Sequence, residues 1–251
     1  FPYTTLFRSK TMFGVVEQCR QGKYRFEVVP ELFDALSLKM SVEELGEVPT
    51  VTFGETPLEG PVARTLKRSV DVLFSSVALM VSGPVMLLIA ALIRLDTRGN
   101  ILFVQERVGS DGKTFKMFKF RSMVHDAEAD TGPVWATADD PRRTRVGKWI
   151  RRYNVDELPQ LINVLLGDMS VVGPRPERPH FVNQFKETIP QYMRRHRVKS
   201  GITGWAQVNG LRGDTSVEER TFYDLYYVDN WSFLFDLRIL WKTLSSFKNA
   251  Y

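Results

Sequence analysis

The sequence predicts an α+β fold, mainly helical, with one small β-hairpin and a broken apolar helix that enters a membrane and returns. Three observations carry this expectation. Leu158, Leu161, Ile162 and Leu165 recur at helical spacing. Ile101 to Val108 and Lys113 to Met123 read as strands joined by the turn Gly109-Ser110-Asp111-Gly112. Val72 to Ile93 runs for 22 residues without a charge, long enough to cross a bilayer as one helix.

The apolar run has a flaw at its midpoint. Ser82, Gly83 and Pro84 sit there, and proline removes a backbone donor and disfavours helix at the residue before it, so a break is expected at Gly83-Pro84. Arg64, Lys67 and Arg68 precede the run and Arg94 and Arg98 follow it. If positive flanks stay cytoplasmic, both ends lie on one side of the membrane. A re-entrant helix over residues 64–98 satisfies both observations, provided the freed backbone groups find partners at the break. A spanning helix is one alternative. A buried helix of a soluble core is the other, disfavoured by so long an apolar run.

At 251 residues, with 43% hydrophobic and 12% aromatic residues, the chain is large and apolar enough to fold. Its net charge of +5 fits an anionic partner, whether lipid headgroups, nucleotide phosphates or nucleic acid, and does not choose among them. The single cysteine, Cys19, excludes an internal disulfide framework and a multi-cysteine metal site and fits a reducing cytoplasm. His125, His180 and His196 show no ligand spacing and read as ordinary loop or surface residues. The first nine residues, FPYTTLFRS, lack signal-peptide architecture and read as a non-native scar, residues 1–9. Strand-like pieces such as Tyr24 to Val29, then Pro30 and a short helix over Glu31 to Leu38, follow.

The most informative stretch is Arg151 to Pro179. Asp156 and Glu157 lie between Arg151, Arg152, Arg175 and Arg178. Such a gathering is balanced by a divalent cation on the carboxylates and phosphate oxygens on the guanidinium groups. The apolar spacing predicts a helix over 156–166 that stops at Gly167, with Asp156 at or near its N-cap. A plain capping role accounts for the same residues; a helix N-terminus also favours phosphate, so the two readings are compatible. Pro174 and Pro176 fix the backbone on either side of Arg175, which lowers the entropy lost when its guanidinium is held on an anion. Lys119 and Arg121, two apart on a strand, share a face that is either a solvated basic edge or a phosphate contact. Asp139, Asp140, Arg142, Arg143 and Arg145 read as a mixed-charge loop. Trp231 to Trp241 is a core helix or, as the basic Arg238, Lys242 and Lys248 favour, an interfacial one.

From Thr65 to Tyr251 the chain resembles the bacterial sugar transferases, the monotopic polyprenyl-phosphate phosphoglycosyl transferases. The matching blocks, in order, are Lys119-Phe120-Arg121-Ser122-Met123, Asp156-Glu157-Leu158, Gly167-Asp168-Met169-Ser170, Gly173-Pro174-Arg175-Pro176, and the ten residues from Gly201 to Gly210. The run from Gly173 to His180 is most similar to the undecaprenyl-phosphate glucose or galactose phosphotransferase branch. The resemblance implies a catalytic domain over 99–251 and, over 10–63, the C-terminal remnant of an α/β regulatory domain plus a linker, so a fragment of a larger protein is expected. The family's re-entrant helix breaks at Ser-Pro, where this chain has Gly83-Pro84. The implied reaction is transfer of hexose 1-phosphate, glucose or galactose, from a UDP-sugar to polyprenyl (undecaprenyl) phosphate with release of UMP. This would be the first step of exopolysaccharide, capsule or O-antigen synthesis, at the cytoplasmic face of a bacterial inner membrane.

The resemblance supplies the substrates and the residues a route: Asp156 would be the nucleophile of a covalent intermediate and Glu157 a metal contact or acid–base group. Both would hold Mg²⁺, while Arg151, Arg175, Lys119 and Arg121 bind phosphate or nucleotide. Direct attack in a ternary complex, with Asp156 only on the metal, stays open, as does a non-catalytic membrane-surface binding protein. The expected partners are UDP-sugar, polyprenyl phosphate, membrane lipids and a second copy in a homodimer. Nucleic acid is not expected, because the basic residues surround carboxylates and no recognition motif is present.

Overall fold

The computed structural model describes residues 40–45, 48–53, 56–124, 127, 132, 140–213 and 215–245. The expectations for residues 1–9, Tyr24 to Val29, Glu31 to Leu38, Cys19, His125, Asp139 and Lys248 lie outside these residues. Strands β1 (Met40–Leu45) and β2 (Val48–Phe53) pair antiparallel, with Met40 opposite Phe53. The architecture that follows is α+β, as expected: helices around two small two-stranded sheets and one long apolar helix.

That helix, α1 (Pro61–Asp96), begins with a proline in its first turn, where the missing N–H costs nothing. It stays helical through Pro84, where the sequence led us to expect a break. A proline takes one bond out of the ladder while the turns on either side keep theirs, and the Ser82 hydroxyl donates to the Ala78 carbonyl at 2.6 Å. The middle of α1 is exposed, with Leu73, Val77, Met80, Val81, Leu87 and Leu88 among its open side chains. A buried soluble-core helix is thereby excluded. By length and composition it is able to cross a membrane.

Both ends of α1 are fastened to the rest of the protein by polar contacts. At the N-terminal end Lys67 donates to the Asp236 carboxylate at 2.7 Å and to the Val172 carbonyl at 3.0 Å. Arg68 donates to the Val164 and Leu165 carbonyls, and buried Asp71 accepts from the Ser170 hydroxyl and the Val171 N–H, both at 3.0 Å. At the other end Asp96 accepts from the Val146 N–H at 3.1 Å, while Ile89 and Ile93 pack with Phe120 and Ile150. Of the five basic residues flanking the apolar run, Lys67 and Arg68 are therefore also structural ties.

Strands β3 (Leu102–Val108) and β4 (Thr114–Phe120) form the expected hairpin, with Leu102 opposite Phe120 and Val108 opposite Thr114. The reversal is a single 3-10 turn, Ser110–Gly112, in which Asp111 takes the left-handed conformation that Asp tolerates. Helix α2 (Arg145–Arg152) is capped by Thr144, whose side chain accepts from the Gly147 N–H. A 3-10 turn, Val155–Glu157, leads into α3 (Gln160–Leu166), which stops at Gly167 with φ 94°, a left-handed end that glycine accommodates without strain. Arg68 caps the carbonyls just before that stop.

Strand β5 (Ser170–Val172) pairs in parallel with β6 (Gly201–Thr203), and between them lie α4 (Pro179–Thr188) and the 3-10 segment Tyr192–Arg197. Short α5 (Trp205–Val208), α6 (Val217–Asp229) and α7 (Phe233–Ser245) complete the chain. The main core gathers Met117, Val164, Met169, Val172, Tyr227, Val228, Trp231 and Ile239, and each fully buried large apolar side chain contributes about 1.5–3 kcal/mol. Helix α7 is split between the two accounts given for it. Ile239 is fully buried, while Leu234, Leu237, Trp241 and Leu244 form an exposed stripe at helical spacing. His196, expected at the surface, is instead buried at 4% exposure, packed edge-on against Tyr192.

Candidate active site

The site is assembled where α3 meets the β3–β4 hairpin. Asn163, fully buried on α3, acts as a surrogate strand: its Oδ1 accepts from the Phe118 N–H at 3.0 Å and its Nδ2 donates to the Lys116 carbonyl at 2.7 Å. One amide side chain thus fixes β4, which carries Lys119, against the element that follows Asp156 and Glu157. Asp156 is not the N-cap of the helix, as expected from the sequence. It lies in the 3-10 turn, and α3 starts at Gln160 after Pro159. The physical reason is upstream: Asn154 adopts a left-handed conformation, φ 53°, which turns the chain before the carboxylates and leaves a tight turn rather than an α-helical one there.

The two carboxylates have opposite surroundings. Glu157 accepts from Lys119 Nζ at 2.8 Å and from both terminal nitrogens of Arg175, at 2.6 and 3.2 Å. Burial pushes its pKa up, but Arg175 and Lys119 outweigh that and hold it well below the usual range. Asp156 is 6% exposed, and no hydrogen bond reaches its side chain among the described residues. Burial, then the neighbouring Glu157 charge, raises its pKa to about 6, against the pull of Lys119, Arg151 and Arg175. It is more basic than an ordinary carboxylate, the direction expected of a nucleophile.

Of the cations expected at the site, three converge. Lys119 and Arg175 bind Glu157 directly, and Arg151, in the last turn of α2, lies close enough for its charge to act on Asp156. Arg121 does not join them. It is buried beyond the end of β4, its guanidinium donating to the Thr97 and Arg98 carbonyls; with β4 ending at Phe120, the shared face with Lys119 is lost. Arg121 ties the exit of α1 to the hairpin instead.

Two residues of the site were not read from the sequence. Arg107 and Gln160 line a small polar recess together with Met117, Lys119, Arg175 and Pro176. Arg107 is held by Gln105 Oε1, at 3.1 and 2.6 Å, and by an ion pair with Glu177 at 3.6 Å. Burial lowers its pKa to about 10, so it stays charged. The recess therefore gathers three cations, Lys119 and Arg175 on Glu157 and Arg107 on Glu177, an arrangement able to receive an anion. Arg107 lies two residues from Gln105 on one strand face, a signal that was present but undistinguished among the chain's many basic residues.

The loop that carries Arg175 is rigid for a reason beyond its prolines. Gly173, Gly201 and Gly204 meet backbone to backbone: a Cβ on Gly201 would overlap the Gly173 main chain, and one on Gly204 the Gly173 carbonyl. The Gly173 N–H donates to the Thr203 carbonyl at 2.9 Å. This close approach explains why glycine recurs in the two blocks Gly173-Pro174 and Gly201 to Gly204, far apart in sequence.

A family model described as bacterial sugar transferase matches residues 62–249. The chain belongs to the bacterial sugar transferases. It is 44% identical over 221 residues to the UDP-glucose:undecaprenyl-phosphate glucose-1-phosphate transferase of Escherichia coli K12, covering 86% of this chain and 47% of that protein. It is also 44% identical over 189 residues to an Aeromonas hydrophila UDP-N-acetylgalactosamine-undecaprenyl-phosphate N-acetylgalactosaminephosphotransferase, covering 74% of this chain and 44% of the relative. To the exopolysaccharide production protein PSS of Rhizobium leguminosarum bv. phaseoli it is 46% identical over 191 residues, 72% of this chain and 94% of that one. The sugar transferase thus spans about half the length of the first two relatives and nearly all of the third. The matched region includes all of α1 after Pro61 and every site residue above.

Proposed function

We propose that this sugar transferase moves a hexose 1-phosphate, glucose or galactose, from a UDP-sugar to polyprenyl phosphate and releases UMP, at the start of exopolysaccharide, capsule or O-antigen assembly. The observation that carries the reading is the unequal pair: Asp156, which no hydrogen bond reaches among the described residues and whose pKa is raised, beside Glu157 already neutralised by Lys119 and Arg175. One carboxylate is left to react while its neighbour orients the cations.

In the proposed route an Asp156 oxygen attacks the sugar-linked phosphorus, and the bond between that phosphorus and the bridging oxygen of the diphosphate breaks, so UMP departs with the electron pair. A phosphate oxygen of the polyprenyl substrate then attacks the aspartyl-bound phosphorus and frees Asp156. Splitting the exchange keeps only one polyanion near the phosphorus at each step. Arg175, Arg107 and Lys119 offset the charge that develops on the phosphoryl oxygens, and Arg151 stabilises the ionised Asp156. Mg²⁺ fits the donor set, since Mg²⁺ is commonly held by one or two carboxylates with substrate phosphates and water; Asp156 is the open donor, and Glu157 has lone pairs left beyond those its cations use. When bound, the metal would polarise the phosphoryl oxygens.

A lipid-borne acceptor requires the chemistry to sit at headgroup depth. The contacts that fasten both ends of α1 to the catalytic body support a helix whose two ends face the cytoplasm, and the exposed apolar stripe of α7 supports a second contact with the lipid surface. The test is UMP release in lipid nanodiscs against a panel of UDP-sugars, with polyprenyl phosphate and Mg²⁺. Turnover with UDP-glucose or UDP-galactose is expected, and none for Asp156→Asn. A phosphosugar trapped on Asp156 after mixing with UDP-sugar alone would establish the covalent route; UMP release that requires both substrates would establish direct attack. An Asp156→Asn protein that turns over normally would end the reading.

A further inference from the structure

Four consecutive carbonyls of the loop around Arg175 are each held, by three separate parts of the chain. Pro174 O accepts from the Gly201 N–H at 2.9 Å, and Glu177 O from the Val108 N–H at 2.9 Å. Pro176 O accepts from Arg107 at 3.1 Å, and Arg175 O from Arg195 at 2.7 Å. The tie at Arg175 itself comes from a side chain that the proposed reaction does not use. Arg195 is buried in the 3-10 segment Tyr192–Arg197, where the same terminal nitrogen also donates to Asp224 at 2.6 Å and its other one to the Tyr192 hydroxyl at 2.9 Å. Asp224, on α6, is 2% exposed.

We propose that Arg195, oriented by Asp224, is a positioning residue that sets the Arg175 guanidinium on Glu157. The argument is geometric. The Pro174 tie fixes the peptide before Arg175 and the Arg195 tie fixes the peptide after it, so both backbone dihedrals of Arg175, and hence the direction of its side chain, are set. From there the guanidinium reaches both Glu157 oxygens. A buried ion pair is a costly way to fill a core, and apolar side chains of similar volume often do as well or better for stability. What the pair supplies here is direction: a planar fork anchored by Asp224 and Tyr192 presents one N–H to one carbonyl, which a lysine ammonium or an apolar side chain does not.

This inference rests on the proposed reaction for its main assay, UMP release, measured on wild type, Arg195→Met, Arg175→Met and the double variant, with unfolding midpoints of all four. Arg195→Met is expected to lower kcat/KM by about 10- to 100-fold, the scale of a displaced catalytic contact, and Arg195→Lys to recover little of it. If Arg195 acts through Arg175, the double variant loses no more than Arg175→Met alone. Multiplicative losses, or wild-type kcat/KM in a folded Arg195→Met protein, would overturn the proposal. Should Arg195→Met fail to fold, the near-isosteric Asp224→Asn takes its place in the same cycle, with the same two outcomes. A wild-type protein that releases no UMP from any UDP-sugar would sink the reaction instead. The unfolding midpoints then decide the positioning: coupling between positions 175 and 195 supports it, and strict additivity overturns it.

Discussion

Acidification should weaken this protein through one buried imidazole. His196 is 4% exposed, its buried Nε2 has no hydrogen-bond partner among the described residues, and burial followed by the neighbouring Arg195 charge lowers its pKa from 6.5 to about 4, against a contact with the Gly109 main chain. In the unfolded chain the imidazole takes up a proton as pH falls through 6.5; in the folded protein it resists until about 4. The unfolded state therefore binds more protons across that window, and stability falls with pH there. The full shift is worth about 3 kcal/mol, of which about 2 kcal/mol is already lost by pH 5. Carboxylates titrate in the same range, so the measurement is a difference: denaturant midpoints of wild type and His196→Gln at pH 8 and pH 5. The variant should be less stable at pH 8 and should lose roughly 2 kcal/mol less on acidification. Equal pH dependence of the two proteins would refute the reasoning.

Two further outcomes follow from the site. Arg175→Lys keeps the charge but offers Glu157 one donor direction instead of two; with Arg175 37% exposed, the loss should be about 1–2 kcal/mol, or roughly 5- to 30-fold in kcat/KM for UMP release, and wild-type kinetics would show the fork to be unnecessary. Gly201→Ala forces a methyl into the Gly173 main chain; separating the two backbones should cost more than about 3 kcal/mol in unfolding free energy, and a variant as stable as wild type would contradict the close approach.

What the sequence made legible was mostly local. The stop of α3 at Gly167 could be read because a left-handed helix end leaves its mark on one residue, and the β3–β4 hairpin because alternation and a Gly-rich turn are short-range signals. The pairing of Asp156 with Glu157 among arginines was likewise visible in a single stretch. The start of α3 was misplaced because Asn154, four residues before Leu158, turns the chain by adopting a conformation that no periodicity records. Arg121 and His196 were misread for a different cause. Their surroundings come from Thr97, Arg98, Tyr192 and Gly109, and an exposed-looking pattern in sequence carries no trace of partners that only folding supplies. Arg107 shows the same limit: its contact with the Pro176 carbonyl spans 69 residues.

The fastening of α1 at both ends bears on how its exposed apolar stretch is able to change. Exposed positions such as Leu73, Val77, Met80, Leu87 and Leu88 are free to drift among apolar side chains. Lys67, Arg68, Asp71 and Asp96 are not, because each holds a main-chain group of the catalytic body in its place. A chimera that transplants an anchor from another protein must therefore carry these four across with it. Grafted without them, the enzyme would keep an apolar helix but with β5 and the approach to α2 adrift.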